Sequence, residues 1–352
     1  MGPHNIWWQH YRLFSDYMKR ISYLMTDVVS HARVAVLCDN NRVPSEKIAE
    51  LYEHQIDFHY LPVAMLKDCA VREHRLCIGT CEFDVIVDLY SYRTQEAYSA
   101  YLTDVRVVNE AAELTAERDD SLVQEKVDYR IVVTESDCPC LRAVYMEKEG
   151  VSWYLFSNEG EDTIEMNVFV KELQTGRKPF LVDLWDCCAE NIACLAGKEL
   201  LRKDGSCIRL KLEHCEMKLL LILDDDTEHI MEQYRSNSIS SKAVEGAFLG
   251  DWTKQFEQYD SDAEQCANTV VYRRTYLVPK GGTFTGAEYF MVRGEEMAEC
   301  VCNGTFAGVS FYGPHTFRIG HLLIEGENEI SLRFTGNAVN LYGDVKVPYG
   351  LE

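Results

Sequence analysis

At 352 residues the chain is long enough for about two to three domains, each able to bury its own core. Its 57 acidic residues outnumber 35 basic ones, and the formal net charge of -22 repels phosphate backbones and anionic lipid. Nucleic acid and membrane surfaces are therefore excluded as expected partners, and acidity that simply keeps a large protein soluble is the plainer explanation of the charge.

No uninterrupted apolar run of about 18 residues occurs, so no membrane span is expected. Met1 to Asn5 lacks the basic-then-apolar layout of a signal peptide. The 14 cysteines do not fall into metal-binding pairs: Cys77 and Cys81, Cys138 and Cys140, and the adjacent Cys187 and Cys188 have no distant Cys-x-x-Cys partner. Cys38, Cys215 and Cys300 lie in apolar strand-like runs, where a thiol behaves as a small hydrophobe. Reduced thiols in a cytoplasmic protein, without metal or cofactor, are expected; His74 with Cys77 and Cys81 is the weaker metal reading.

Trp7, Tyr11, Phe14, Met18, Ile21, Met25 and Val28 recur at intervals of three and four, which predicts an amphipathic helix whose exposed tryptophans need a cover. Then strands and helices alternate. Val34 to Leu37 reads as a strand, Pro44 to His54 as a helix and Ile56 to Leu61 as a second strand. Val63 to Leu66 is a short helix, Val85 to Tyr90 a third strand, Thr94 to Leu102 a helix and Val105 to Val108 a fourth strand. Continuous apolar strands alternating with helices predict a doubly wound parallel sheet. Glu110 to Asp128 is acidic and helical in character. After Tyr129 the period becomes two, and strands follow at Ile131, Arg142–Met146, Trp153–Phe156, Ile164–Val170, Phe180–Trp185, Ile208–Leu212 and Met217–Leu223, which make an antiparallel sandwich. Asp224 to Ser241 reads as a linker or bridging helix. The tail carries a hairpin at Asn303-Gly304 and a turn at Gly326-Glu327-Asn328, followed by alternating Ile330, Leu332 and Phe334, hence a second small sandwich.

Chemistry is harder to place. A nucleotide site on the parallel sheet needs a glycine-rich loop after the first strand, and Cys38-Asp39-Asn40-Asn41-Arg42 has no glycine. An amidotransferase elbow needs a cysteine between a strand and a helix, whereas Cys81 precedes a strand. His54 and His59 suit ordinary surface or capping roles. Glu159 sits at the Asn158-Glu159-Gly160 turn, and Asp183 and Asp186 flank Trp185, where capping is favoured over catalysis. Trp252, Tyr272, Tyr276, Phe311, Tyr312 and Tyr342 could stack on sugar rings, although in a sandwich most such residues pack the core.

Taken together, Trp7-Trp8-Gln9-His10-Tyr11 with Tyr17-Met18-Lys19-Arg20 and Ser22-Tyr23-Leu24 resembles the segment that follows the catalytic barrel in large α-L-rhamnosidase-like glycoside hydrolases. Val34 to Asp39 and Gln55 to Leu61 resemble the flavodoxin-like or amidotransferase-like domain that comes next there. Trp153 to Gly160 and Leu184-Trp185-Asp186 resemble its β-domain. Tyr272 to Tyr276, Cys302-Asn303-Gly304, Gly308 and Gly326-Glu327-Asn328 resemble galactose-binding-like jelly rolls. The resemblance implies a multidomain α/β plus all-β fold: an α/β domain over 1–128, a β-sandwich over 129–226, a linker over 227–249 and a galactose-binding-like jelly roll over 250–352. It also implies that the acid and base carboxylates belong to a barrel before Trp7, so no catalytic residue is carried over. The expected role is that of a non-catalytic accessory region supporting a glycosidase barrel or targeting it to plant-type or bacterial glycans. Sugar contacts are expected at Trp252, Tyr272, Tyr312, Asn340 and Tyr342. A stand-alone carbohydrate-binding or interaction protein, or a glycosidase with carboxylates at a domain junction, stays open.

Overall fold

The computed structural model describes residues 7–115, 129–170, 173, 177–185, 189–191, 195–196, 206–223, 246–257, 269–281, 288–336 and 349–351. The chain divides into two compact units, Arg20–Gln233 on one hand and Met1–Lys19 with Tyr234–Glu352 on the other. The fold is mostly β.

Within Arg20–Gln233, four strands form an all-parallel sheet in the order Phe58–Pro62, Val34–Cys38, Val85–Val87, Arg106–Val108. Their unbroken apolar character follows from burial on both faces. Val34, Val36, Val85 and Val87 pack with Ile48, Leu51 and Ile56, while Ala35, Leu37 and Ile86 pack with Leu61, Leu66, Leu76 and Phe83 on the other side. The covering helices are shorter than the sequence pattern predicts. The stretch from Thr94 to Leu102 is broken by Gln95, which is extended at ψ 132. A three-stranded antiparallel flap, Ala70–Arg72, Arg75–Ile78 and Cys81–Phe83, was not legible in the sequence. Its first turn is Glu73-His74, with φ of 47° and 63°, a primed hairpin turn made without the usual Asn-Gly.

The sandwich that follows has a six-stranded antiparallel sheet containing Leu141–Lys148, Val151–Asn158, Met217–Leu223 and Lys178–Asp183, faced by a four-stranded sheet built on Ser206–Leu212 and Ile164–Val170. Alternate residues meet between them: Leu141, Tyr154, Phe156 and Leu220 from one sheet, Ile164, Val168, Ile208 and Leu210 from the other. Gln55 ties the parallel sheet to this sandwich. Its buried side-chain amide donates to the carbonyls of Cys138 at 2.9 Å and Leu141 at 3.2 Å, and the Gln55 backbone carbonyl accepts from the Ile131 amide. Cys215 departs from expectation: it is exposed at a turn with φ 54° instead of lying inside a strand, because Ser206–Leu212 and Met217–Leu223 reverse there. Cys38 and Cys300 are buried free thiols, and burial pushes Cys300 up to about 12.

The second unit is built on a five-stranded antiparallel sheet ordered Ala247–Glu257, Thr269–Val278, Gly326–Thr335, Met297–Cys302, Thr305–Ser310. Val270, Cys300, Ile330, Leu332 and Phe334 face Phe317, Ile319 and Leu323, which closes a second core. Tyr289–Val292 pairs with His315–Arg318, and Gly294–Glu295 with Gly350–Leu351. Asn303 and Gly304 have φ of 50° and 77°, as their hairpin turn requires. Gly326-Glu327-Asn328 is no turn. These residues already pair with Val278, Leu277 and Tyr276, and the reversal falls just before them. The Asn328 side chain makes that reversal: its carbonyl accepts from the Ile324 amide and its amide donates to the Ile324 and Gly326 carbonyls.

The amphipathic helix forms as Tyr11–Met25 after a short 3-10 turn, Trp8–His10, and buries no residue. Trp7 and Trp8 stay 37% and 46% exposed. Within its unit the segment is held by His10, 2.8 Å from Glu299, and by the edge of Trp7 against Phe311. Among the described residues no helix is long and apolar enough to cross a membrane. Residues 116–128 of the acidic stretch and 224–245 of the expected linker lie outside the described residues.

Candidate functional site

The candidate site grows from a slip in one strand pair. Ala247–Glu257 pairs with Thr269–Val278, but the register shifts between Leu249 and Thr253, where Gly250 has φ 64°. Such an irregularity re-aims the side chains it carries. Trp252 lies in the slipped segment, half-buried, with its ring 5.9 Å from Phe248 and 6.3 Å from Phe290. Beyond it the ladder resumes and sets Lys254 directly opposite Tyr272. Tyr272 is 7% exposed and meets Phe334 edge-on at 5.8 Å, so it forms a wall of the site anchored in the core. The Lys254 ammonium stands 5.5 Å from the Tyr272 ring centre.

Two further segments complete the lining. Val292 ends the strand Tyr289–Val292 and Arg293 follows it, while Leu351 comes from the closing strand Gly350–Leu351. That strand reaches Tyr272 only because residue 350 is glycine. Its φ is 106°, and a Cβ there would stand 2.6 Å from the Tyr272 hydroxyl. Together Trp252, Lys254, Tyr272, Val292, Arg293 and Leu351 line an open depression of about 440 Å³. That size falls inside the range of roughly 300–1,000 Å³ usual for small-molecule sites. An indole edge, a phenol wall, two apolar side chains and two cations suit a ligand with both a C–H face and polar substituents.

Of the residues singled out from sequence, Trp252 and Tyr272 come together here. Tyr312 is 40% exposed and does not line the depression, while Asn340 and Tyr342 lie outside the described residues. Tyr276 packs against Phe248 in the core. Sequence reading missed Lys254, Val292, Arg293 and Leu351. Period two from Trp252 would have found Lys254; the others join only through the fold.

Carboxylates raised as possible chemistry are engaged locally. At the C-terminal ends of the parallel strands, where open α/β sheets bind ligands, Asp39 accepts from the Asn41 amide and the Tyr92 hydroxyl, which hold its carboxyl below the usual range. Asp88 accepts from the Tyr92 and Arg93 amides at 2.9 and 2.8 Å, and Arg42 lies 3.8 Å over the Tyr90 ring. Asp183 caps the Trp185 amide at 2.7 Å, and Glu159 pairs with Arg142 at 2.8 Å. Asp186 lies outside the described residues. Asn158 is buried, with its side-chain amide on the Asp162 and Glu213 carbonyls. His59 is held by Ser30 at 2.9 Å, and burial lowers its pKa. Among the described residues no three His, Cys, Asp or Glu side chains are grouped to hold a metal.

The structure of a rhamnosidase from Novosphingobium sp. PP1Y matches 97% of this chain at a TM-score of 0.62 and 13% identity. The likeness is one of fold. The chain spans 38% of that rhamnosidase. A β-porphyranase of glycoside hydrolase family 86 from the human gut bacterium Bacteroides plebeius matches 57% of this chain and 37% of its own, at 11% identity and a TM-score of 0.17. No family model and no curated protein matches the sequence.

Proposed function

We propose that this chain is a non-catalytic accessory region of a rhamnosidase-like glycoside hydrolase, and that its Trp252–Tyr272 depression holds a sugar ring. The observation that carries the reading is that depression, where an aromatic pair is set beside polar side chains on a sandwich of glycoside hydrolase-related fold. A pyranose buries its C–H face on such rings and turns its hydroxyls outward. On this reading the parallel-sheet domain is flavodoxin-like or amidotransferase-like, in keeping with its second-first-third-fourth strand order. The tail sandwich is a galactose-binding-like jelly roll. Both would support a catalytic barrel or direct it to plant-type or bacterial glycans. The described thiols, all free, suit a cytoplasmic setting.

Incubating the full chain with aryl α-L-rhamnosides and aryl galactosides tests the non-catalytic part. The expected outcome is no release of the aryl group. Turnover that one Asp→Asn or Glu→Gln substitution abolishes would make the chain a glycosidase in its own right.

A further inference from the structure

We infer that the depression selects a sugar carrying a negative charge, a uronate carboxylate or a sulfate ester, read by Lys254 and Arg293; this rests on the sugar-binding reading above. Two cations stand on its rim in a chain whose formal net charge is -22. Several cations elsewhere sit against carboxylates: Arg33 on Asp84, Arg142 on Glu159, Lys211 on Glu213, Lys218 on Glu216 and Arg333 on Glu299. Lys254 and Arg293 have no carboxylate partner among the described residues; Lys254 instead stands over the Phe256 and Tyr272 rings at 4.9 and 5.5 Å.

Beyond the slip the ladder is regular, and Lys254, opposite Tyr272, shares its face of the sheet, which carries the ammonium on the side of the depression. Both cations are exposed. At physiological salt the screening length is about 8 Å, so the remote acidic surface is muted while charges touching the ligand are not. Polyanions that span the whole surface still meet the net charge; a short oligosaccharide does not. Lysine offers a point charge and arginine a planar fork suited to a carboxylate or sulfate.

The test is calorimetric titration of the full chain with trigalacturonate, its methyl ester, a sulfated galactose disaccharide and a neutral galactose disaccharide. Binding to an acidic or sulfated sugar about three- to tenfold tighter than to its neutral counterpart is expected, the range set by two exposed charge contacts. Lys254→Met with Arg293→Met should erase that preference, so that charged and neutral sugars bind the variant alike, with an unchanged melting temperature. A preference for trigalacturonate over its ester assigns a uronate, and one confined to the sulfated sugar assigns a sulfate ester. Equal binding of charged and neutral sugars overturns the charge selection alone. Failure of every sugar to bind overturns it together with the sugar-binding reading.

Discussion

Two ionisable groups with shielded polar atoms make opposite demands on pH. His315 is fully buried, and neither ring nitrogen has a hydrogen-bond partner at good geometry. Burial holds its pKa down at about 4, with the Gly294 backbone opposing in part. A folded pKa below the unfolded value of 6.5 means the unfolded chain binds the proton more tightly, so stability present above pH 6.5 is lost as pH falls towards 4. His315→Phe keeps an aromatic ring beside Phe317 and Phe334. It should flatten that acid limb by about 2–3 kcal/mol in urea titrations at pH 7 and pH 4.5. An acid limb unchanged in the variant would contradict the assignment. Asp57 runs the other way. Its Oδ1 accepts from the Phe58 amide, but its Oδ2 is shielded and unpaired, and burial raises its pKa to about 7. Here the folded state binds the proton more tightly, so stability falls as pH rises from about 4 through 7. Asp57→Asn should therefore gain about 1–3 kcal/mol at pH 8 and little at pH 4. Because the two groups belong to different compact units, each unit's unfolding must be followed separately.

At the scale of elements, Asn328 shows where local polar chemistry replaces a turn. It is fully buried, accepts from the Asn303 side chain at 2.8 Å and anchors the Ile324 reversal. Asn328→Ala strands those partners in the core and should cost about 2–4 kcal/mol by chemical denaturation. The same residue explains a misread boundary. Gly-Glu-Asn has turn composition, yet the chain needs the asparagine inside the strand, reaching back. Elements with strong periodicity were legible: Val34–Cys38, the alternating Ile330, Leu332 and Phe334, and the Asn303-Gly304 hairpin. The Ala70–Phe83 flap was hidden because Glu73 and His74 adopt positive φ that their side chains do not advertise. The site was half legible. Trp252 and Tyr272 announce themselves as aromatics, whereas Arg293 and Leu351 meet them only through pairing and a glycine at 350.

At the scale of the whole molecule, the chain is similar in fold to part of a far larger rhamnosidase at 13% identity. This chain carries an open depression lined by Trp252, Lys254, Tyr272, Val292, Arg293 and Leu351. The most direct measurement is calorimetric titration of the full chain with neutral and acidic galactose-type oligosaccharides, alongside Trp252→Ala. Saturable binding that weakens about tenfold or more in the variant, near the worth of one stacked ring, is the predicted result. Binding that survives Trp252→Ala unchanged, or no binding of any sugar, would contradict the account.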